Sequence, residues 1–144
     1  MVEFAQVYID SSVMLRRTLS QPGALTDVDW VSASSSELLA VELRRTFDRL
    51  RLTRVMPKRK LAQLRDEVER NLAGIALVPL DRSVLKRAGE PFPKPLKTLD
   101  AIHLATALLL NNYEGGIVFL THDRQLGVAA LACGLAVYPG PIAP

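Results

Sequence analysis

Short apolar runs rich in β-branched and aromatic residues recur along the chain, separated by longer segments whose apolar residues repeat with helical spacing. The runs predict five strands, at Val7 to Ile9, Trp30 to Val31, Ile75 to Leu80, Ile117 to Leu120 and Leu135 to Tyr138. Because the intervening segments are long enough to be crossover helices, the pattern predicts parallel pairing. We therefore expect an α/β sandwich with a mostly parallel central sheet flanked by helices.

The length and composition are typical of one ordinary domain. The chain has 144 residues, 49% hydrophobic and 23% charged, which is enough apolar content for a core and excludes intrinsic disorder. We predict a single domain over residues 1–144. The first ten residues include the charged Glu3 and lack the apolar run of a signal peptide. No later uncharged apolar run is long enough to span a membrane. These features predict a cytoplasmic protein that neither enters the membrane nor is secreted, and Cys133, the single cysteine among apolar neighbours, is predicted to be buried.

Positive charge is concentrated in one helical stretch. The net charge of the chain is +3, but residues 44–70 hold ten Lys or Arg against four Asp or Glu, a local net charge of +6. Such a surplus attracts phosphate backbones or an acidic protein, and it is also typical of a solvated helix face. The sequence leaves these interpretations open.

Three predicted strands end in an aspartate. Asp10 follows VYI, Asp81 follows VPL and Asp123 follows IVFLTH. Because loops at the carboxyl ends of parallel strands converge in a crevice, these are candidate site residues. Each aspartate also precedes a helical pattern, where it could simply cap the helix.

A helix predicted to begin near Ser34 carries two glutamates with different expected roles. Ser34 and Glu37 have the spacing of a capping box, in which each side chain accepts a backbone hydrogen bond. Glu42 instead falls at the margin of the apolar face of this helix. A carboxylate held against an apolar surface requires a cation, a metal ion or strong hydrogen bonds, and a nearby arginine is one such partner.

The segment Leu96 to Leu110 predicts a central helix with an acid near its start. Thr98 is the predicted N-cap, which places Asp100 in the first turn of a nearly all-apolar helix. There Asp100 either complements the helix dipole or belongs to a site. His103, one turn further on, is either a hydrogen-bond partner of Asp100 or a core residue. The two histidines of the chain lack HxxxH spacing, which argues against a zinc site.

Taken together, four carboxylates from separate elements form the candidate site: Asp10, Glu42, Asp100 and Asp123. Their mutual repulsion at neutral pH would be relieved by a hard divalent cation such as Mg²⁺ or Mn²⁺. Such a cation can bind a phosphate, lower the pKa of an attacking water and stabilise the leaving oxygen. Metal-dependent hydrolysis of phosphodiester bonds is therefore the expected reaction.

Four ordered motifs resemble those of PIN-domain ribonucleases, in particular the VapC toxins of bacterial toxin–antitoxin pairs. The motifs are VYIDSSV, SSSELLAVELRR, LKTLDAIHLATAL and IVFLTHDRQL, followed by LACGLAVYPG. The resemblance implies a PIN-like fold, matches the family's acidic positions to Asp10, Glu42, Asp100 and Asp123, and matches a small hydroxyl position to Ser12. It also implies a Mg²⁺- or Mn²⁺-dependent endoribonuclease that forms a homodimer and is neutralised by a cognate VapB-type antitoxin.

On this hypothesis, water attacks phosphorus in line and leaves a 5′-phosphate and a 3′-hydroxyl, and no histidine or nucleophilic side chain is required. Ser12 and Thr121 would fix carboxylate rotamers through hydrogen bonds. A phospho-acceptor receiver module needs adjacent acids and a late lysine, and a haloacid dehalogenase-like phosphatase needs Asp-x-Asp, whereas two serines follow Asp10. The remaining alternative is a catalytically silent PIN-like module that binds protein or RNA.

Overall fold

The computed structural model describes residues 1–140, in which five strands alternate with six helices. The strands are β1 (Val2–Ile9), β2 (Val28–Ser36), β3 (Ala76–Val78), β4 (Val118–Leu120) and β5 (Ala136–Tyr138). The helices are α1 (Ser11–Thr18), α2 (Glu37–Thr53), α3 (Lys58–Ala73), α4 (Arg82–Ala88), α5 (Thr98–Glu114) and α6 (Arg124–Ala132).

All five strands pair in parallel in one sheet, in the order β3-β2-β1-β4-β5. The chain builds from β1 to one side through β2 and β3, and then crosses to the other side of β1 for β4 and β5. The direction of winding therefore changes between β1 and β4, whose ends coincide because Ile9 pairs with Leu120. In open parallel sheets such a switch point leaves a crevice between the loops.

Both faces of the sheet are covered, so the predicted α/β sandwich is confirmed. Successive side chains of a strand point to opposite faces, and β1 shows the result. Ile9 joins the core cluster that includes Leu43 of α2 and Leu72 of α3. Tyr8 joins a second cluster that includes Leu104 of α5 and the residues of α6 that face it.

The first two strands are longer than the apolar runs that predicted them. β1 and β2 pair from Val2, opposite Val28, to Tyr8, opposite Ser34, and the first half of each strand is mostly exposed. In β1 the exposed first half leaves no apolar run, so the pattern predicts only the buried end. In β2 the pattern predicts Trp30 to Val31 in the more exposed part, because the buried end consists of an alanine and three serines. The edge strand β3 is shorter than predicted because only Ala76–Val78 pairs with β2.

The predicted capping box at the start of α2 is wrong. Ser34 lies within β2, where it pairs with β3, and the N-cap is Ser36, whose Oγ accepts a hydrogen bond from the backbone N–H of Leu38 at 3.0 Å. Glu37 is structural, as expected, but its Oε2 accepts a hydrogen bond from the backbone N–H of Leu80 at 3.3 Å. The extra strand pairing delays the helix by two residues.

Two other single-residue predictions also need correction. Lys97, not Thr98, is the N-cap of α5, so the helix begins at Thr98 and Asp100 still lies in its first turn. Cys133, the C-cap of α6, is partly exposed instead of buried. None of the helices in residues 1–140 combines the length and the hydropathy that a membrane-spanning helix needs.

Candidate active site

Asp10 follows β1 at the switch point and is 3% exposed. It occupies the N-cap position of α1, but its side chain makes no capping hydrogen bond. Instead, its Oδ2 accepts hydrogen bonds from Ser12 Oγ at 2.7 Å and from Thr121 Oγ1 at 2.8 Å. The two hydroxyls singled out in the sequence therefore hold this carboxylate in one orientation.

The other two strand-end aspartates do cap helices. Asp81 Oδ1 accepts a hydrogen bond from the backbone N–H of Val84 at 3.0 Å, which holds the pKa of this carboxyl below its usual value. Asp123 Oδ1 accepts one from the backbone N–H of Leu126 at 3.0 Å. The backbone N–H of Asp123 also donates to Thr121 Oγ1 at 3.0 Å. Capping explains Asp81, whereas Asp123 caps α6 and also adjoins the switch point.

Glu42 reaches the same region from α2, and its partners are not arginines. Its Oε1 lies 2.6 Å from Nε2 of His103, and its Oε2 accepts a hydrogen bond from Ser11 Oγ at 3.0 Å. Ser11 Oγ also lies 3.5 Å from Asp10 Oδ1, so one hydroxyl bridges the two carboxylates. The arginine alternative is therefore wrong. Neither partner was predicted from the sequence; Ser11 could have been found beside Asp10, but His103 lies 61 positions from Glu42.

His103 is buried between two polar partners. It is 1% exposed, and its Nδ1 lies 2.7 Å from the hydroxyl of Tyr8, so both ring nitrogens are hydrogen-bonded. Burial disfavours the charged imidazole, but the hydrogen bond with Glu42 and the charge of Asp10 outweigh it and raise the pKa of His103. Burial also raises the pKa of Tyr8, which keeps the phenol protonated. A hydrogen bond from His103 to Asp100 is not formed, because both nitrogens are already engaged.

Asp100 completes the group from the first turn of α5. Burial, followed by the charges of Asp123 and Asp10 and finally that of Glu42, raises the pKa of the Asp100 carboxyl to about 6. Burial is the larger cause, and the charges of the other three acids add to it because like charges disfavour the ionised carboxylate. The four predicted acids are thus brought from four separate segments to one end of the sheet.

The available donor atoms suit a hard divalent cation. They are carboxylate and hydroxyl oxygens, which Mg²⁺ and Mn²⁺ prefer, while the nitrogens of His103 that zinc would use are both occupied. Within residues 1–140, no three His, Cys, Asp or Glu side chains are close enough to hold a metal ion as they stand. Repulsion between the carboxylates opposes such an approach until a cation compensates their charge.

The basic stretch begins two residues after Glu42 and continues away from it along α2 and α3. Arg51 is about 14 Å along α2 from Glu42, at about 1.5 Å per residue. Its exposed ion pairs, such as Arg44 with Glu69 at 3.0 Å and Arg51 with Asp48 at 2.7 Å, join residues of the same stretch, so its net charge of +6 remains. These contacts fit a solvated helix face and place the surplus outside the carboxylate group.

Comparison with known proteins agrees with the motifs. The chain matches the PIN domain family over residues 7–131, a span that contains all four acids. It is similar to Ribonuclease VapC46 of Mycobacterium tuberculosis (strain ATCC 25618 / H37Rv), with 31% identity over 133 residues, 92% of this chain and 96% of the relative. It is also similar to Ribonuclease VapC47 of Mycobacterium tuberculosis (strain CDC 1551 / Oshkosh), with 28% identity over 120 residues, 83% of this chain and 86% of the relative. The predicted resemblance is confirmed, and the chain belongs to the PIN-domain family, as a VapC-type member.

Proposed function

We propose that this protein is the toxin of a toxin–antitoxin pair, a Mg²⁺- or Mn²⁺-dependent endoribonuclease that hydrolyses RNA phosphodiester bonds. The observation that carries the proposal is the convergence of four carboxylates near the switch point, where burial and then the charges of the other acids raise the pKa of Asp100 to about 6. Similarity to two proteins named as ribonucleases supports the same conclusion. Placing four carboxylates together lowers the stability of the folded protein. A cation that they bind best explains why they lie together.

The acids present fit such a cation. Asp10, Glu42, Asp100 and Asp123 would hold it, directly or through water, because carboxylate oxygens are its preferred ligands. Bound there, it would lower the pKa of the attacking water and stabilise negative charge on the phosphate oxygens.

The surrounding side chains orient the acids. Ser12 and Thr121 hold one oxygen of Asp10, while His103 and Ser11 each hold one oxygen of Glu42. In the proposed reaction a bond forms between water oxygen and phosphorus, and the bond from phosphorus to the 3′ oxygen breaks. The products are a 5′-phosphate and a 3′-hydroxyl, and no side chain acts as a nucleophile.

The proposed activity also implies partners and a location. A nuclease that cleaves the RNA of its own cell acts in the cytoplasm and needs an inhibitor while the cell grows. We therefore propose a cognate VapB-type antitoxin as its partner, together with a homodimer as its working state. Light scattering of the purified protein, with and without co-expressed antitoxin, measures both assemblies.

RNA cleavage with and without a chelator tests the proposal. Antitoxin-free protein is incubated with structured RNA in Mg²⁺, Mn²⁺ or EDTA, together with Asp10→Asn. The matched control is Asp81→Asn, at a strand-end aspartate whose replacement can still cap α4. We expect EDTA to abolish cleavage and Asp10→Asn to slow it at least about 100-fold, while Asp81→Asn cleaves normally.

Two outcomes would count against the nuclease. Cleavage that survives EDTA, or that Asp10→Asn leaves undiminished, contradicts the proposed mechanism. Absence of cleavage, together with no Mn²⁺ binding by calorimetry and tight binding of a partner, supports the catalytically silent binding module. If cleavage is found, sequencing RNA 5′ ends from cells that briefly express the chain identifies the RNA and the cut position.

A further inference from the structure

A cleft of about 320 Å³ is lined by Asp123, one of the four acids. Arg16 of α1 and Arg124 of α6 line it, together with Thr121, His122 and Asp123 from the loop after β4. Thr121 holds the Asp10 carboxylate. The cleft therefore continues from the carboxylate group towards two positive charges.

The two arginines are not committed to partners within the described residues. Neither forms a salt bridge there, in contrast to the paired arginines of α2. Asp123, the acid nearest to them in the cleft wall, uses one oxygen to cap α6. Their charge is therefore available to a bound anion.

The local backbone places one of these charges against a turn. Gly23, in the turn after α1, has φ +80°, and a β-carbon at this position would lie 3.3 Å from Nη1 of Arg16. A residue without a side chain therefore lets the guanidinium lie close to the turn. This packing limits the directions in which Arg16 can point.

His122 adds an unsatisfied polar atom to the same wall. Its backbone N–H donates to Ser12 Oγ at 2.9 Å, which ties the cleft to the hydroxyl beside Asp10. Its Nε2 is buried and has no hydrogen-bond partner among residues 1–140. Buried polar atoms are usually satisfied, so this nitrogen leaves an unpaired polar group in the wall beside Arg16.

These observations point to an anion, and the neighbouring acids point to which one. A polyanion that approaches four carboxylates is repelled unless positive charge lies nearby. Guanidinium groups bind phosphate through paired N–H donors, which suits two arginines facing one cleft. We propose that this cleft binds an internal backbone phosphate of the RNA strand, adjacent to the phosphate that is cut. The proposal rests on the proposed function and assigns to this cleft the positioning of the substrate.

RNA binding by paired variants tests the assignment. The probe is a short single-stranded RNA with a 3′ fluorescent label, titrated in Mg²⁺ against protein carrying Asp10→Asn to suppress cleavage. In that background, Arg16→Gln with Arg124→Gln should raise the dissociation constant at least about tenfold. The dependence of log K on log salt should become shallower by about 0.7 for each phosphate that the variant no longer binds.

The matched control removes two exposed positive charges from α4, through Arg82→Gln with Lys86→Gln. It should change the dissociation constant by less than about twofold, because these residues lie outside the cleft. In the otherwise native chain, Arg16→Gln should raise KM for RNA. Arg16→Lys should raise KM by less, because lysine keeps the charge but lacks the paired donors. In chains that keep Asp10, the arginine pair, Arg16→Lys and the α4 control should leave Mn²⁺ affinity and the thermal midpoint unchanged.

Three results would overturn the assignment. RNA binding undiminished in the Arg16 and Arg124 pair excludes the cleft, and an equal loss in the α4 control reduces the effect to general charge. A loss seen only with 5′-phosphorylated RNA assigns the cleft to a strand end instead of an internal phosphate. Chelator-sensitive cleavage by the native chain alongside any of these results leaves the proposed function intact, whereas absence of both cleavage and RNA binding in the native chain removes that function itself.

Discussion

Asp10, Asp81 and Asp100 carry the same side chain in three different surroundings. Asp10 is buried and accepts hydrogen bonds from two hydroxyls. Asp81 is exposed and caps a helix, which lowers its pKa. Asp100 is half-buried among other acids, and burial followed by their charges raises its pKa to about 6. The last of these arrangements costs stability whenever the carboxyl is charged, and this cost can be measured.

Replacing Asp100 with asparagine should stabilise the metal-free protein at neutral pH. The folded-state pKa is raised from 3.8 to about 6, so the stability that the protonated carboxyl contributes is complete below about pH 4 and is lost as the pH rises through about 6. Asp100→Asn does not undergo this loss. After allowance for its partial exposure, we expect a gain of about 1 kcal/mol at pH 7.5 and none near pH 4.

Urea unfolding in EDTA at the two pH values measures this difference. Asp81→Asn is the control, because the pKa of Asp81 is shifted in the opposite direction. Equal free energies of unfolding for Asp100→Asn and the native chain at pH 7.5 would show that the acids do not repel one another as inferred.

Replacing His103 should weaken metal binding even though His103 itself would not contact the ion. His103 holds one oxygen of Glu42, and groups that orient metal-binding carboxylates typically contribute 10- to 100-fold in affinity. We therefore expect His103→Gln to raise the Mn²⁺ dissociation constant about tenfold in an electron paramagnetic resonance titration. Tyr8→Phe leaves Glu42 paired and should affect folding stability more than Mn²⁺ affinity. Unchanged Mn²⁺ affinity in a folded His103→Gln variant would argue against Glu42 as a ligand.

At the scale of elements, α5 delivers two of the central groups from adjacent turns. Asp100 and His103 are three residues apart, a spacing that places both on one side of a helix. The neighbouring Leu104 and Ala105 are buried and hold α5 against the rest of the fold. The sheet end and this helix are therefore positioned by the same apolar contacts that stabilise the protein.

The two aspartates that cap helices make a matched pair at this scale. Asp81→Ala and Asp123→Ala each remove an N-cap acceptor, from α4 and α6 respectively. Each should lower the thermal midpoint by about 3 °C. Calorimetric titration with Mn²⁺ should separate them, because Asp123→Ala loses affinity and Asp81→Ala does not. Equal Mn²⁺ affinity in both variants would limit Asp123 to capping.

At the scale of the whole molecule, the winding of the sheet concentrates negative charge at one end. β1 and β4 are far apart in sequence but adjacent in the sheet, so the residues that follow them meet. The ion pairs of the basic stretch are formed with its own acids and with none of these four. Repulsion between these carboxylates therefore lowers the stability of the folded protein, whereas in the unfolded chain the carboxylates are far apart.

A divalent cation should accordingly stabilise the folded state. Binding to the folded protein alone contributes about 2.7 kcal/mol when the free ion exceeds its dissociation constant 100-fold. We expect the thermal midpoint to rise with Mg²⁺ or Mn²⁺ concentration and to fall again on addition of EDTA. Asp10→Asn should lose most of this rise, and an equal rise in Asp10→Asn would place the ion elsewhere on the protein.

Sequence alone was sufficient for the order of strands and helices and for the choice of four candidate acids. Buried strands leave short apolar runs, and an acid after such a run marks a strand end, as at Asp10 and Asp123. Glu42 and Asp100 instead stand out as acids in otherwise apolar helical patterns, so all these signals are local. The sequence was insufficient where the pairing of strands decides which element a residue belongs to. Ser34 and Glu37 have the spacing of a capping box, but pairing with β3 keeps Ser34 in a strand.

Only the tertiary structure distinguished among the acids and assigned their partners. No local pattern separates Asp10 from Asp81, since both follow apolar runs, and only the switch point between β1 and β4 brings hydroxyls to one of them. The pairing of Glu42 with His103 and the cleft between Arg16 and Arg124 likewise join distant segments. Sequence determined which chemical groups are present, because composition and periodicity are properties of the chain itself. Strand order and register determined which of them meet, because those distances exist only after the sheet has assembled.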